Sequence, residues 1–177
     1  MKFLWYKKQQ YGFTLVELLV VIVLLSVLAL IGLPTFVGSQ KRSRDNKRKT
    51  DLAQVAKVLE MYANDAGRYP CSNNGVMTNC LTTTYNWGES FSNGTTIYMQ
   101  KLPKDPSAKS YYYQVPDSVG KKYLLWARLE RTDDSDLLPA SATTITTGTS
   151  TSSIVTIPQC GMERCNYVLR SSSVVIQ

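Results

Sequence analysis

The sequence predicts an α+β protein: a long N-terminal helix that anchors in a membrane, its second half packed on a small antiparallel β-sheet head. Three observations carry this expectation. Leu18 to Leu33 holds thirteen Leu, Val or Ile in sixteen positions. The stretch 51–66 is apolar at three- and four-residue spacing, the period of a helix with one buried face. After Pro70 the chain consists of short β-prone runs broken by Gly, Pro, Asn and Ser, so a helix is followed by a sheet.

From Phe13 to Leu33 the apolar run is 21 residues long, enough at ~1.5 Å per residue to cross ~30 Å of hydrocarbon. Insertion stays favourable with Glu17 included, because thirteen side chains at roughly −0.3 to −0.6 kcal/mol each outweigh one acid at about +2.5 to +3.5 kcal/mol. An acid at that depth still needs a partner or a role. Glu17 can sit in the first helical turn, where unsatisfied amides stabilise an anion. It can also meet a cation, and cleavage after Gly12 would create one, the α-amine of Phe13. The segment 1–12 holds Lys2, Lys7 and Lys8 and no acid, a basic flank that such a cut would release as a leader peptide. The apolar run is too long for a secretory signal core, so the segment 13–34 reads as a retained anchor.

Pro34 is expected to bend the helix, since its ring clashes with the preceding turn and it has no N–H to donate. From 35 to 66 the helix resumes. Leu52, Val55, Ala56, Leu59, Tyr62, Ala63 and Ala66 make its apolar stripe, while Asp51, Lys57, Glu60 and Asp65 are expected to face elsewhere. Gly67 then suits the residue after the helix, and Pro70 prevents resumption.

The remainder, 67–177, is a head large enough for one modest core. Asn73 to Thr96 reads as a long loop. The runs 110–115 and 122–129, separated by Pro116-Asp117-Ser118-Val119-Gly120, read as a hairpin. The Ser/Thr-rich tract 141–153 reads as a flexible loop, and 154–157, 167–169 and 174–176 as late strands.

Four cysteines occur in a chain without histidine. Cys71 and Cys80 are too far apart for the usual zinc spacing, so disulfides are expected, with local pairing, Cys71 to Cys80 and Cys160 to Cys165, as the least demanding connectivity. Bridges place the head in an oxidising, extracytoplasmic setting. The net charge of +7 comes from the leader and from Lys41, Arg42, Arg44, Lys47, Arg48 and Lys49, set against Glu17 and Asp45. Such a collar suits anionic headgroups at about 1 kcal/mol per charge, but its simplest reading is a solvated helix face. Six bases beyond the span against three before it oppose the expected orientation; the leader and cysteines weigh the other way. Beyond residue 50 bases and acids balance, which argues against nucleic acid. No histidine, phosphate loop or nucleophile elbow supports catalysis. Tyr85, Trp87, Tyr111, Tyr112, Tyr113 and Trp126 read as core and sheet-face residues.

Gly12-Phe13-Thr14-Leu15-Val16-Glu17-Leu18-Leu19 resembles the N-terminal signature of type IV pilins and of the pseudopilins of type II secretion. The resemblance implies a pilin-like fold and cleavage after Gly12 by a prepilin peptidase. It makes Phe13 the N-methylated terminus, Glu17 the acid that meets the amine of a neighbouring subunit, and Pro34 the helix kink. Asp45, Asn46, Arg48, the stretch Tyr62 to Pro70 and Lys101 to Pro106 are similar to major pseudopilins. In those proteins calcium binds after the central strands, and Asp133, Asp134 and Asp136 occupy a comparable stretch. The expected glycine-bearing loop is missing, and three carboxylates only begin the six to eight oxygens calcium takes. A solvated acidic turn without metal is therefore the reading here. The Ser/Thr tract and the Cys160–Cys165 tail depart from pseudopilins and lean toward pilins.

The function expected is that of a structural subunit, pilin or pseudopilin, in a homopolymeric filament. It would cross the cytoplasmic membrane once with its head outside, contact lipid, prepilin peptidase and an inner-membrane assembly platform, and end in an extracellular pilus or a pseudopilus. The alternatives are an unprocessed, signal-anchored extracytoplasmic binding protein and a tethered enzyme.

Overall fold

The computed structural model describes residues 12–81, 83–107, 109–147 and 153–171, without the side chains of 31–35 and 153. Most of the leader and the strand expected at 174–176 lie outside the described residues. One helix, α1 (Leu15–Ala66), carries both the anchor and the amphipathic segment. It ends where expected: Gly67 has φ 74° and its N–H bonds the Ala63 carbonyl at 2.8 Å, a left-handed turn that needs no Cβ. The helix assignment passes through Pro34, whose side chain is outside the description.

The chain divides into two compact units, 1–40 and 41–177. In the first, every described residue is exposed, Phe13 and Leu15 each to 87%. Among the described residues no helix is long and apolar enough to cross a membrane. The described apolar side chains run from 15 to 30, and the expected span continues through 31–33, outside them.

In the second unit, β1 (Cys71–Asn73), β2 (Val76–Thr78) and β3 (Thr84–Tyr85) form one antiparallel sheet, and β4 (Phe91–Ser92) pairs with β5 (Ile97–Met99). The long loop expected over 73–96 is thus corrected to four short strands. Its Asn74-Gly75 dipeptide turns β1 into β2, with φ 46° and 85°, the backbone that tight hairpin turns require. A Cβ on Gly75 would also fall 2.4 Å from the Tyr112 ring. β6 (Tyr112–Gln114) and β7 (Leu124–Ala127) make the expected hairpin. β8 (Thr144–Thr147) and β9 (Ser153–Thr156) form a two-stranded ribbon, so part of the tract read as a flexible loop is strand. β10 (Tyr167–Arg170) pairs with the free edge of β7.

Leu52, Val55, Leu59 and Tyr62 of α1 are buried against Tyr113, Leu125, Ala127 and Phe91, as the periodicity requires. The acids expected to face elsewhere do not all do so. Asp51 is 7% exposed and accepts a hydrogen bond from Tyr111 Oη at 2.8 Å; Glu60 accepts from Tyr69 Oη and Asp65 from Tyr98 Oη, each also at 2.8 Å. Burial together with the Glu60 contact pushes the Tyr69 hydroxyl up to about 12, so it remains a donor throughout the neutral range.

The head also has a second apolar cluster. Leu124 and Trp126, on the other face of β7, pack with Ile145, Val155, Ile157 and the Cys160–Cys165 bridge. A strand without alternation, Leu124-Leu125-Trp126-Ala127, is buried on both sides, which is what a continuous apolar run signals. The single core expected is therefore two clusters sharing one strand.

Candidate functional site

Two arrangements within separate units carry the chemistry. The first is the N-terminal segment. Thr14 precedes the first helical residue, and its backbone N–H and hydroxyl both donate to Glu17 Oε2, at 2.9 and 2.8 Å. The Glu17 N–H donates back to Thr14 Oγ1 at 3.2 Å. This reciprocal pair is a capping box, and the sequence Thr14-Leu15-Val16-Glu17 encodes it directly. The Glu17 carboxylate thereby satisfies the Thr14 amide and the Thr14 hydroxyl satisfies that of Glu17, and among the described residues Oε1 accepts no bond. A carboxylate so placed can keep its cap and still accept from an ammonium. Gly12 lies two residues ahead of Thr14, and a Cβ there would touch nothing within 4 Å. The fold itself does not demand glycine at that position.

The second arrangement locks α1 to the head. Arg48 is wholly buried and all five of its N–H donors are used. It holds Asp105 bidentately at 2.7 and 3.0 Å, Asp45 at 2.8 Å, Glu130 at 2.9 Å and Ser107 Oγ at 2.8 Å. Arg44 holds Glu130 at 2.8 and 2.5 Å. Asp45 also accepts the backbone N–H groups of Glu130 and Arg131, at 2.9 and 3.0 Å. Burial works against the Arg48 charge, but its hydrogen bonds to Asp105 and Glu130 outweigh that and raise its pKa. The same contacts, Arg44's first, hold the Glu130 carboxyl down to about 2.

Half of the basic collar is therefore structural. Lys41, Arg42 and Lys47 are exposed, whereas Arg44, Arg48 and Lys49 each pair with acids of the head. The solvated face expected for all six is corrected for those three. A signal for this exists in the sequence: continued toward the N-terminus, the stripe of Tyr62, Leu59, Val55 and Leu52 lands on Arg48 and Asp45.

A pH dependence follows from the lock. Glu130 titrates near 2 when folded against 4.5 ordinarily, so its stabilisation is complete above pH 4.5 and is lost as pH falls toward 2. Asp105 shifts in the same direction: burial opposes its charge, and the hydrogen bond from Arg48 prevails. The melting temperature of the full chain in detergent micelles is expected to be flat above pH 4.5 and to drop below it. A melting point unchanged down to pH 2 would remove the lock from the stability argument.

The three aspartates read as weak calcium candidates are engaged by cations. Lys49 Nζ donates to Asp134 at 2.7 and 2.9 Å and to Asp136 at 2.7 Å, and Arg131 holds Asp133 at 3.0 and 2.6 Å. Among the described residues no group of three or more carboxylates or thiols is placed to hold a metal ion. The donor set does not fit calcium, whose oxygens must converge on one point that an ammonium here occupies. The disulfides are the local pairs expected, Cys71–Cys80 and Cys160–Cys165.

Comparison with known proteins bears on both arrangements. Residues 35–128, more than half of the chain, match the family described as type II secretion system protein G, and residues 7–33 match the prokaryotic N-terminal methylation motif. Among curated relatives, the type II secretion system core protein G of Vibrio cholerae is 32% identical over 113 residues, covering 64% of this chain and 76% of the relative. Its counterpart in Aeromonas hydrophila is 33% identical over 117 residues, covering 65% and 80%. That of Pseudomonas aeruginosa is 31% identical over 119 residues, covering 64% and 80%. No solved structure matches significantly. The relatives favour the secretion side of the choice between pilin and pseudopilin, against the lean suggested by the tail, and do not favour an anchored binding protein. Asp45 and Arg48 of α1 and Asp105 of the head, which carried the resemblance beyond the anchor segment, belong to the lock.

Proposed function

Because this chain belongs to the type II secretion system protein G family, we propose that it is a pseudopilin cut after Gly12 by a prepilin peptidase, methylated at Phe13 and polymerised through its N-terminal helix. Before assembly the helix stands in the cytoplasmic membrane with the head outside. An assembly platform in that membrane then passes the subunit to other copies of this chain, and helices pack side by side with heads outward. Association that does not close on itself gives such a filament.

The observation that carries the reading is the Thr14–Glu17 capping box at the start of an apolar helical segment whose described residues, 15–30, are all exposed. In hydrocarbon an unpaired carboxylate and an unpaired amine each cost energy. Pairing Glu17 of one subunit with the Phe13 amine of the next offsets both costs and sets the axial register.

Glu17→Val is expected to insert and be cleaved but to enter filaments at least about tenfold less well, the change of a ~1.4 kcal/mol loss per contact. Filament yield is read by sedimentation of sheared material, with membrane-bound mature subunit as the control for processing. Wild-type filament yield from Glu17→Val would remove the register role.

A further inference from the structure

We infer that the ammonium of Lys49 does for the 133–136 turn what a divalent cation would otherwise do, so that this subunit holds its acidic turn against α1 without calcium. The three donors of a lysine ammonium are matched by three oxygens: both carboxylate oxygens of Asp134 and Oδ2 of Asp136. Asp134 Oδ1 also accepts the Asp136 N–H at 3.0 Å, so the two carboxylates are set by the turn to converge on one point. Lys49 stands at that point, with its Nζ 5.5 Å from the centre of the Tyr167 ring, within cation–π range.

The third aspartate is withdrawn from the set. Asp133 is held by Arg131, leaving two carboxylates where six to eight oxygens would be needed. A calcium ion entering there would displace or face an ammonium already within hydrogen-bond distance of both carboxylates. The contact also joins distant parts of the chain, since Lys49 lies on α1 and its partners 85 and 87 residues further on. It follows Arg48 directly, so two consecutive helical residues tie down consecutive parts of the same loop: Arg48 holds Glu130, and Lys49 holds Asp134 and Asp136. Burial opposes the charge on Lys49, but the hydrogen bonds to Asp134 and Asp136 outweigh it and keep the lysine protonated.

This inference takes from the family reading only the expectation of calcium. Its test reads the unassembled subunit, so its failure would leave the filament proposal standing, and a failure of assembly would leave it standing in turn. The full-length protein in detergent micelles is digested with trypsin, and cleavage after Arg131 is followed by mass spectrometry, in chelator and in millimolar calcium. The wild type is expected to be cut at the same rate, within about twofold, in both. Protection by calcium of more than that overturns the inference, because the turn would then still need the ion. Lys49→Met keeps the aliphatic stem and removes the charge. In chelator it is expected to be cut after Arg131 about tenfold faster than the wild type, as when local opening becomes ~1.4 kcal/mol easier. A variant cut no faster than the wild type shows that Lys49 does not pin the turn and overturns the inference by a second route. Should Lys49→Met fail to fold, the calcium comparison on the wild type still decides.

Discussion

Arg48→Ala is expected to lower the melting temperature of the protein by ~6–20 °C. Removing one member of a buried charge cluster leaves the others unpaired at a cost of about 3–5 kcal/mol, and each kcal/mol shifts a protein of this size by roughly 2–4 °C. The cluster fits that case closely. The side chains of Arg48 and Asp105 are wholly buried, that of Asp45 is nearly so, and Arg48 is the group all three carboxylates share. Its loss leaves Asp105 accepting from the Ser107 N–H and hydroxyl, at 2.8 and 2.7 Å, and Asp45 with two backbone amides. Lys47→Ala, one residue away but exposed, serves as the control and should change stability by no more than about 0.5 kcal/mol. Circular dichroism of full-length variants in micelles checks both. If Arg48→Ala melts within the range of the Lys47→Ala control, the buried cluster does not hold the head to the helix. A buried pair of this kind need not be more stabilising than an apolar one of the same shape. What it adds here is discrimination: only one rotation of α1 presents Asp45 and Arg48 to Asp105 and Glu130 together.

Gly12→Leu is expected to abolish maturation. The variant should insert and fold, because among the described residues nothing lies within 4 Å of a Cβ at that position. Its effect would therefore be read at the peptidase and not in the fold. Intact-mass measurement of the membrane-extracted variant should show uncut precursor, while the wild type shows a chain beginning at N-methylated Phe13. Filaments should be absent from the variant, since the α-amine proposed to pair with Glu17 is never released. A mature product of normal mass from Gly12→Leu would contradict the cleavage site, and an intact Met1 on functional wild-type protein would contradict processing altogether.

The parts of this protein legible in its sequence are those whose partners are close in the chain. The Thr14–Glu17 cap joins residues three apart, and Gly67 ends the helix by bonding Ala63. The β6–β7 hairpin and both disulfides also close within a few residues to about a dozen. The Thr14 half of the cap and the Asn74-Gly75 hairpin belong to this class without having been among the expectations, although both signals are present in the sequence.

Local chemistry of this kind is decided by residue identity and spacing alone, and so the N-terminal methylation motif, the α+β class and the bridges can be read along the chain. Which bases are solvated and which are locked was decided only by the tertiary structure. Arg48 meets Asp105 and Glu130 across 57 and 82 residues, and Lys49 meets Asp134 across 85. Six bases within nine residues look alike along the chain. They become different when the apolar stripe of α1 docks on β6 and β7, because docking removes water from one side of the helix. A charge on that side persists only where a carboxylate of the head arrives to meet it.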